Sequence, residues 1–224
     1  MTVILFDIDG TLVSSGGAGK AAMERALTTA FGVPGHSDGV PYSGRTDRAI
    51  VRDLFRLHHV RDTPESWQAL RAAYLGHLPG CLAEYRGRVL PGISEFLERL
   101  RGLGHVTLGL LTGNIREGAR IKLGHFGLFH HFAFGGFGDE HFDRDDVARE
   151  ALRFVQQHLG GRVDLERVWV LGDTPLDVSC ARAIGARVAA VATGWHARDD
   201  LAAARPDLLL SDLSDPAPLL RLLG

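Results

Sequence analysis

Lysine is almost missing from this chain. Of 25 basic residues in 224, only Lys20 and Lys122 are lysines, and the rest are arginines. Any cation the chemistry needs must therefore be sought first among arginines. Cysteine is as scarce. Cys81 and Cys180 lie far apart, make no disulfide framework, and are expected as small packing residues of a buried core. No apolar stretch reaches membrane-spanning length. The first apolar run has no basic segment before it and is too short for a signal peptide. A net charge of −2 gives no electrostatic case for nucleic acid or an anionic membrane. Internal repeats and low-complexity segments are absent. These absences leave a chain expected in a reducing cytoplasm, as a monomer or homodimer, with small molecules as its partners.

A hydrophobic content of 45% and a charged content of 23% are ordinary for a globular protein. The length allows one large core, or one domain with a small insert. Residues 3–6, Val-Ile-Leu-Phe, read as a fully buried strand. A helix follows with Met23, Ala26, Leu27, Ala30 and Phe31 on one face, ended by Gly32 and Pro34. Residues 34–45 are loop. Asp47 is expected to cap a helix carrying Ile50, Leu54 and Leu57, and Thr63 another carrying Trp67, Leu70, Tyr74 and Leu78.

After Arg88 the pattern alternates. Helices are expected near 91–101, 115–123, 145–158, 176–184 and 216–223. Strands are expected at 105–111, 132–134, 168–171, 187–192 and 208–210. Strands alternating with helices predict an α/β fold, a Rossmann-like parallel sheet with helices on both faces. The helical stretch after the first strand predicts an inserted all-helical cap. The expected division is a core of residues 1–14 and 88–224 and a cap of residues 15–87.

Chemistry concentrates at the predicted carboxyl ends of strands, where such sheets bind ligands. Asp7-Ile8-Asp9-Gly10-Thr11 follows the first strand. Two carboxylates two residues apart point to the same side and repel, so they need a cation or an incoming substrate. Gly10 permits a sharp turn and Thr11 adds a hydroxyl. Gly172-Asp173 and Asp177 form a second acidic group at another strand end. Carboxylate oxygens without soft ligands favour a hard divalent cation such as Mg²⁺. Thr112-Gly113-Asn114 ends the central strand with a hydroxyl and main-chain N–H groups suited to an anion.

In order and spacing, these segments resemble the haloacid dehalogenase-like hydrolases, in the branch whose helical cap follows the first strand. The resemblance spans essentially the whole chain. It implies that Asp7 attacks phosphorus and forms an aspartyl phosphate, and that Asp9 serves as acid and then base. It implies Mg²⁺ on Asp7, the Asp9 carbonyl and Asp173, supported by Asp177. Thr112 and a cation would bind phosphoryl oxygens, helped by main-chain N–H groups near Asp9, Gly10, Gly113 and Asn114. The family's usual lysine for that cation has no counterpart. Lys122 stands too soon after Asn114, so Arg144 is assigned the role, with Arg149 as the alternative. Arg45 and then Thr46, at the start of a cap helix, are the substrate candidates.

Asp9 narrows the reaction, because an alcohol leaving group needs a proton and a halide does not. The leading expectation is a phosphatase acting on a small phosphate monoester, phosphoglycolate phosphatase-like. A phosphomutase of the β-phosphoglucomutase type stands second, and a non-catalytic binding protein third. Two other signals are set aside. Gly16-Gly17-Ala18-Gly19-Lys20 is no phosphate loop, since Ser14 and Ala21 occupy required glycine and hydroxyl positions. His125, His130, His131 and His141 show no metal-ligand spacing.

Overall fold

A computed structural model describes residues 1–223. The chain opens with β1 (Thr2–Phe6), and all of its side chains are buried. Alternation sends Ile4 and Phe6 to one face of the sheet and Val3 and Leu5 to the other, each into its own apolar cluster. A strand buried on both faces is what a parallel sheet covered by helices requires.

Two very short strands follow from the insertion. β2 (Val13–Ser14) leaves the core and β3 (Arg88–Val89) returns to it, paired antiparallel. Between them lie α1 (Ala18–Phe31), α2 (Asp47–Leu57) and α3 (Pro64–Glu84). Leu27, Leu54, Phe55, Leu70 and Leu78 give these helices an apolar cluster of their own, which Ile115 joins from the sheet side. Thr63 caps α3 through the Ser66 N–H, as its sequence predicts. The cap of α2 is Thr46 rather than Asp47: its hydroxyl accepts the Ala49 N–H at 3.1 Å. Asp47 is the first helical residue, and its carboxylate is used elsewhere.

The second half supplies α4 (Ile93–Arg101), β4 (Val106–Leu111), α5 (Arg116–His125), β5 (Phe134–Gly136), α6 (Arg144–His158) and β6 (Val168–Gly172). It ends with α7 (Pro175–Ala183), β7 (Arg187–Val191), α8 (Arg198–Ala203), β8 (Leu208–Leu210) and α9 (Ala217–Leu223). Six strands form one parallel sheet in the order β5-β4-β1-β6-β7-β8. The chain builds to one side of β1 and then to the other, so the order reverses at β1. A crevice therefore opens beyond the carboxyl ends of β4, β1 and β6.

Besides the two-residue strands β2 and β3, which the sequence reading did not contain, a shifted strand and a short helix differ from it. The strand expected at 132–134 lies two residues later and takes in Gly135 and Gly136. Glycines weaken a strand in isolation, but here a helix needs the space: a Cβ at Gly136 would overlap the main chain of α6 at Val147 and Ala151. The short helix α8 was not anticipated, because its six residues carry too little periodicity. Replacing Gly136 with alanine should cost about 1–3 kcal/mol through overpacking. Urea unfolding would read this as a lower midpoint at unchanged slope, and an unchanged midpoint would contradict the close approach.

Candidate active site

Asp7 follows β1, Thr112 follows β4 and Asp173 follows β6, so three neighbouring strands deliver them to the crevice. Asp173 has room because glycines flank its carboxylate. Gly10 turns there with φ +90°, and a Cβ on it, or on Gly194, would overlap the Asp173 carboxylate. The Thr11 hydroxyl donates to Asp173 Oδ1 at 3.0 Å, and the Thr193 hydroxyl to the Gly10 carbonyl at 2.6 Å.

Asp7, Asp173 and Asp177 are all buried, and each offers an oxygen within 4.8 Å of the others. Burial pushes the Asp7 carboxyl up to about 6; Arg144 pulls it back, while Asp177 and Asp9 add to the rise. Asp173 is raised further, by burial and then by Asp7 and Asp177. Crowded hard oxygens that resist ionising without a positive partner suit a divalent cation in donor chemistry. Asp177 has the least to offer one. Its Oδ2 accepts the Thr174 N–H at 2.9 Å and the Thr174 hydroxyl at 2.7 Å, closing a capping box on α7. Its Oδ1 takes Arg144.

The two candidate arginines occupy different settings, Arg144 buried among the acids and Arg149 exposed. Arg144 starts α6, is buried, and reaches Asp7 Oδ1 at 2.9 Å, Asp177 and the Gly44 carbonyl. Its Nε is buried without a partner. Arg149 is an exposed residue paired with Asp146 at 2.6 Å.

Asp9 stands across from this group with a half-buried side chain. Its Oδ2 accepts Lys122 Nζ at 2.6 Å and Asn114 Nδ2 at 2.9 Å, and its Oδ1 takes the Ser15 hydroxyl at 3.3 Å. Burial would raise its pKa, but Lys122, Asn114 and Ser15 outweigh that and hold it below the usual range. The Asn114 side chain is thus turned to Asp9 and to the Thr112 hydroxyl rather than outward to an anion. Thr112 is fully buried, and its hydroxyl accepts from Asn114.

Lys122, set aside for the phosphate cation on spacing, nevertheless lies at the site beside Asp9 and Asn114. Asn114 stands just before α5, and Gly118 and Lys122 follow at four-residue steps within it. Helical side chains lean toward the N-terminus, so a lysine two turns in reaches back to the strand end. That recurrence was the available signal.

The cap start is docked on the same edge. Asp47 donates its N–H to the Gly113 carbonyl at 2.7 Å, and its carboxylate accepts the Ile115 N–H at 2.9 Å. A Cβ at Gly113 would overlap the Arg45 carbonyl. Of the cap candidates, Arg45 borders the cavity, but its guanidinium is drawn to Asp53 at 2.7 Å. Thr46 is buried and occupied as a helix cap, so a substrate role does not fit it. The cavity enclosed between cap and core measures about 490 Å³, with Asp7, Asp9 and Lys122 on its wall and Trp195 at 94% exposure beside it.

Burial raises the Asp47 carboxyl to about 6 despite Lys122 and the Ile115 N–H. A carboxyl raised on folding contributes stability below its unfolded value, about 3.9, that is lost as pH climbs through 6. Asp47→Asn removes this titration. Between pH 4 and 7 the wild type should lose up to about 3 kcal/mol relative to that variant. Parallel stability curves in urea across this range would contradict the assignment.

The sequence matches the haloacid dehalogenase-like hydrolases over residues 1–185. It is 30% identical to the phosphoglycolate phosphatase of Synechococcus elongatus, over 96% of this chain and 95% of that one. It is 28% identical to phosphoglycolate phosphatase 1 of Pseudomonas aeruginosa, over 96% and 78%. Among solved structures, a CbbY variant of Rhodobacter sphaeroides bound to xylulose-1,5-bisphosphate superposes with a TM-score of 0.77 at 21% identity, covering 97% of each chain. No described helix is long and apolar enough to cross a membrane. Family match, fold and buried acidic edge agree: the chain belongs to the haloacid dehalogenase-like hydrolases and is a phosphatase of that family.

Proposed function

We propose that the chain hydrolyses a small organic phosphate monoester with Mg²⁺, through an aspartyl phosphate on Asp7, and that 2-phosphoglycolate is the first substrate to test. The observation that carries this reading is the setting of Asp7. It is a buried carboxylate beside Arg144, inside a group of acids, with a second acid, Asp9, standing apart on the cavity wall. The names of the relatives support the choice of substrate.

In this reading Asp7 attacks phosphorus, and the free hydroxyl hydrogen of Thr112 and the Arg144 guanidinium stabilise the phosphoryl oxygens. Asp9 gives its proton to the departing alcohol and then takes one from water. Lys122 and Asn114 hold Asp9 Oδ2, so the exchange falls to Oδ1, whose one partner is the Ser15 hydroxyl. Asp7, Asp173 and the Asp9 main-chain carbonyl would hold the Mg²⁺, with Asp177 behind them. The ion, when bound, supplies positive charge for nucleophile and phosphate together. Asp177 acts mainly by fixing Arg144 and the turn into α7.

The cavity volume favours one further reading. About 490 Å³ exceeds what a two-carbon ester fills, so a sugar phosphate also fits. A phosphomutase would pass the phosphoryl group to a sugar hydroxyl, giving isomerised product without phosphate release.

With Mg²⁺ and a panel of metabolite esters, the wild type should release phosphate. Asp7→Asn should lose at least about 10³-fold in kcat, and chelation with EDTA should abolish activity reversibly. Wild type no faster than Asp7→Asn on every ester would overturn the reading. Arg144→Met should cost at least about 10²-fold in kcat/KM, whereas Arg149→Met should stay within about twofold. Equal losses at both would overturn the assignment of the phosphate cation.

A further inference from the structure

We propose that Lys122 recognises a carboxylate on the leaving group, so that the preferred substrates are phosphate esters of short 2-hydroxy acids. This rests on the phosphatase reading above and names the residue that would read the part of the substrate beyond phosphorus.

A lysine ammonium has three N–H donors. Two are used, by Asp9 Oδ2 at 2.6 Å and Asn114 Oδ1 at 2.5 Å. No third acceptor lies within hydrogen-bonding distance among the described residues. Lys122 is 4% exposed and lies on the cavity wall, so a further acceptor can reach it from the cavity; Asp47 and Asp7 also attract it but are not its hydrogen-bond partners. A buried ammonium gains most from a charged acceptor. Gly19 keeps that space clear: even a Cβ there would stand 3.2 Å from Nζ.

The other cations at the cavity are committed. Arg144 holds Asp7 and Asp177, Arg45 is turned to Asp53, and Lys20 is exposed on the cap near Glu24. Lys122 is therefore the buried cation on the leaving-group side. Its position beside Asp9 sets the distance along the substrate. Asp9 must touch the ester oxygen, so a group that also meets Nζ sits only one or two atoms further on. A carboxylate on the ester carbon meets that demand, whereas a carboxylate at the far end of a sugar or nucleotide does not.

The test compares two esters that differ only in that group. 2-Phosphoglycolate and 2-hydroxyethyl phosphate share the ester carbon, and the second replaces carboxylate with a neutral alcohol. In steady-state assays with Mg²⁺, wild type should prefer 2-phosphoglycolate by at least about 30-fold in kcat/KM. Lys122→Met disturbs Asp9 as well, so both substrates should slow. The specific result is collapse of the preference to about threefold or less, with KM for 2-phosphoglycolate raised at least about tenfold. Lys122→Arg should restore much of the preference. Glycolate should inhibit wild type competitively while ethylene glycol does not, a measurement that needs no variant.

Activity on both esters without preference, or inhibition by neither compound, would overturn the inference and leave the phosphatase reading intact. Equal loss on both esters in Lys122→Met, with the preference kept, would reduce Lys122 to a holder of Asp9 and overturn it too. Turnover of no ester at all would sink both readings.

Discussion

Everything at the working edge of this protein follows from like charges placed where they repel. Asp7, Asp173 and Asp177 are buried together, and burial with mutual repulsion raises the carboxyls of Asp7 and Asp173. Arg144 offsets part of that repulsion by bridging Asp7 and Asp177 from the start of α6. What remains, centred on Asp7 and Asp173, is an unmet demand for positive charge.

Glycines make the crowding sterically possible. Asp173 sits against Gly10 and Gly194, and Asp177 against Gly172, each where a Cβ would overlap the acid. The glycine-rich character of the strand ends is therefore tied to close approach of side chains as well as to tight turns. The cap meets the same edge through main chain. Gly113 receives Asp47 and passes close under Arg45, and Arg144 reaches the Gly44 carbonyl. Cap docking and Arg144 thus share a contact.

The site divides into two charge systems. On one side Arg144 bridges Asp7 and Asp177. On the other Lys122 and Asn114 hold Asp9, whose carboxyl they keep below the usual range. Two acids two residues apart therefore stand in unlike surroundings. The fold provides them by turning Asp7 toward β6 and α6, and Asp9 toward α5 and the chain leaving for the cap.

Much of this was legible in the order of residues. Burial of Val3 to Phe6, the 3.6-residue rhythm of the helices and the glycine-punctuated strand ends are local properties, so the parallel sheet, the inserted helices and the convergence of Asp7, Thr112 and Asp173 could be read directly. What tertiary structure alone decided was pairing between distant groups. Lys122 and Asp9 are 113 positions apart, and only the tertiary placement of α5 makes them partners. Arg144 and Arg149 share one helix and one composition, and burial against Asp7 separates them. Asp47 was the expected cap of α2, but the Thr46 hydroxyl takes that place and the Ile115 N–H claims the aspartate. Periodicity tells a residue which face it lies on; the neighbour across that face is chosen by packing of the whole chain.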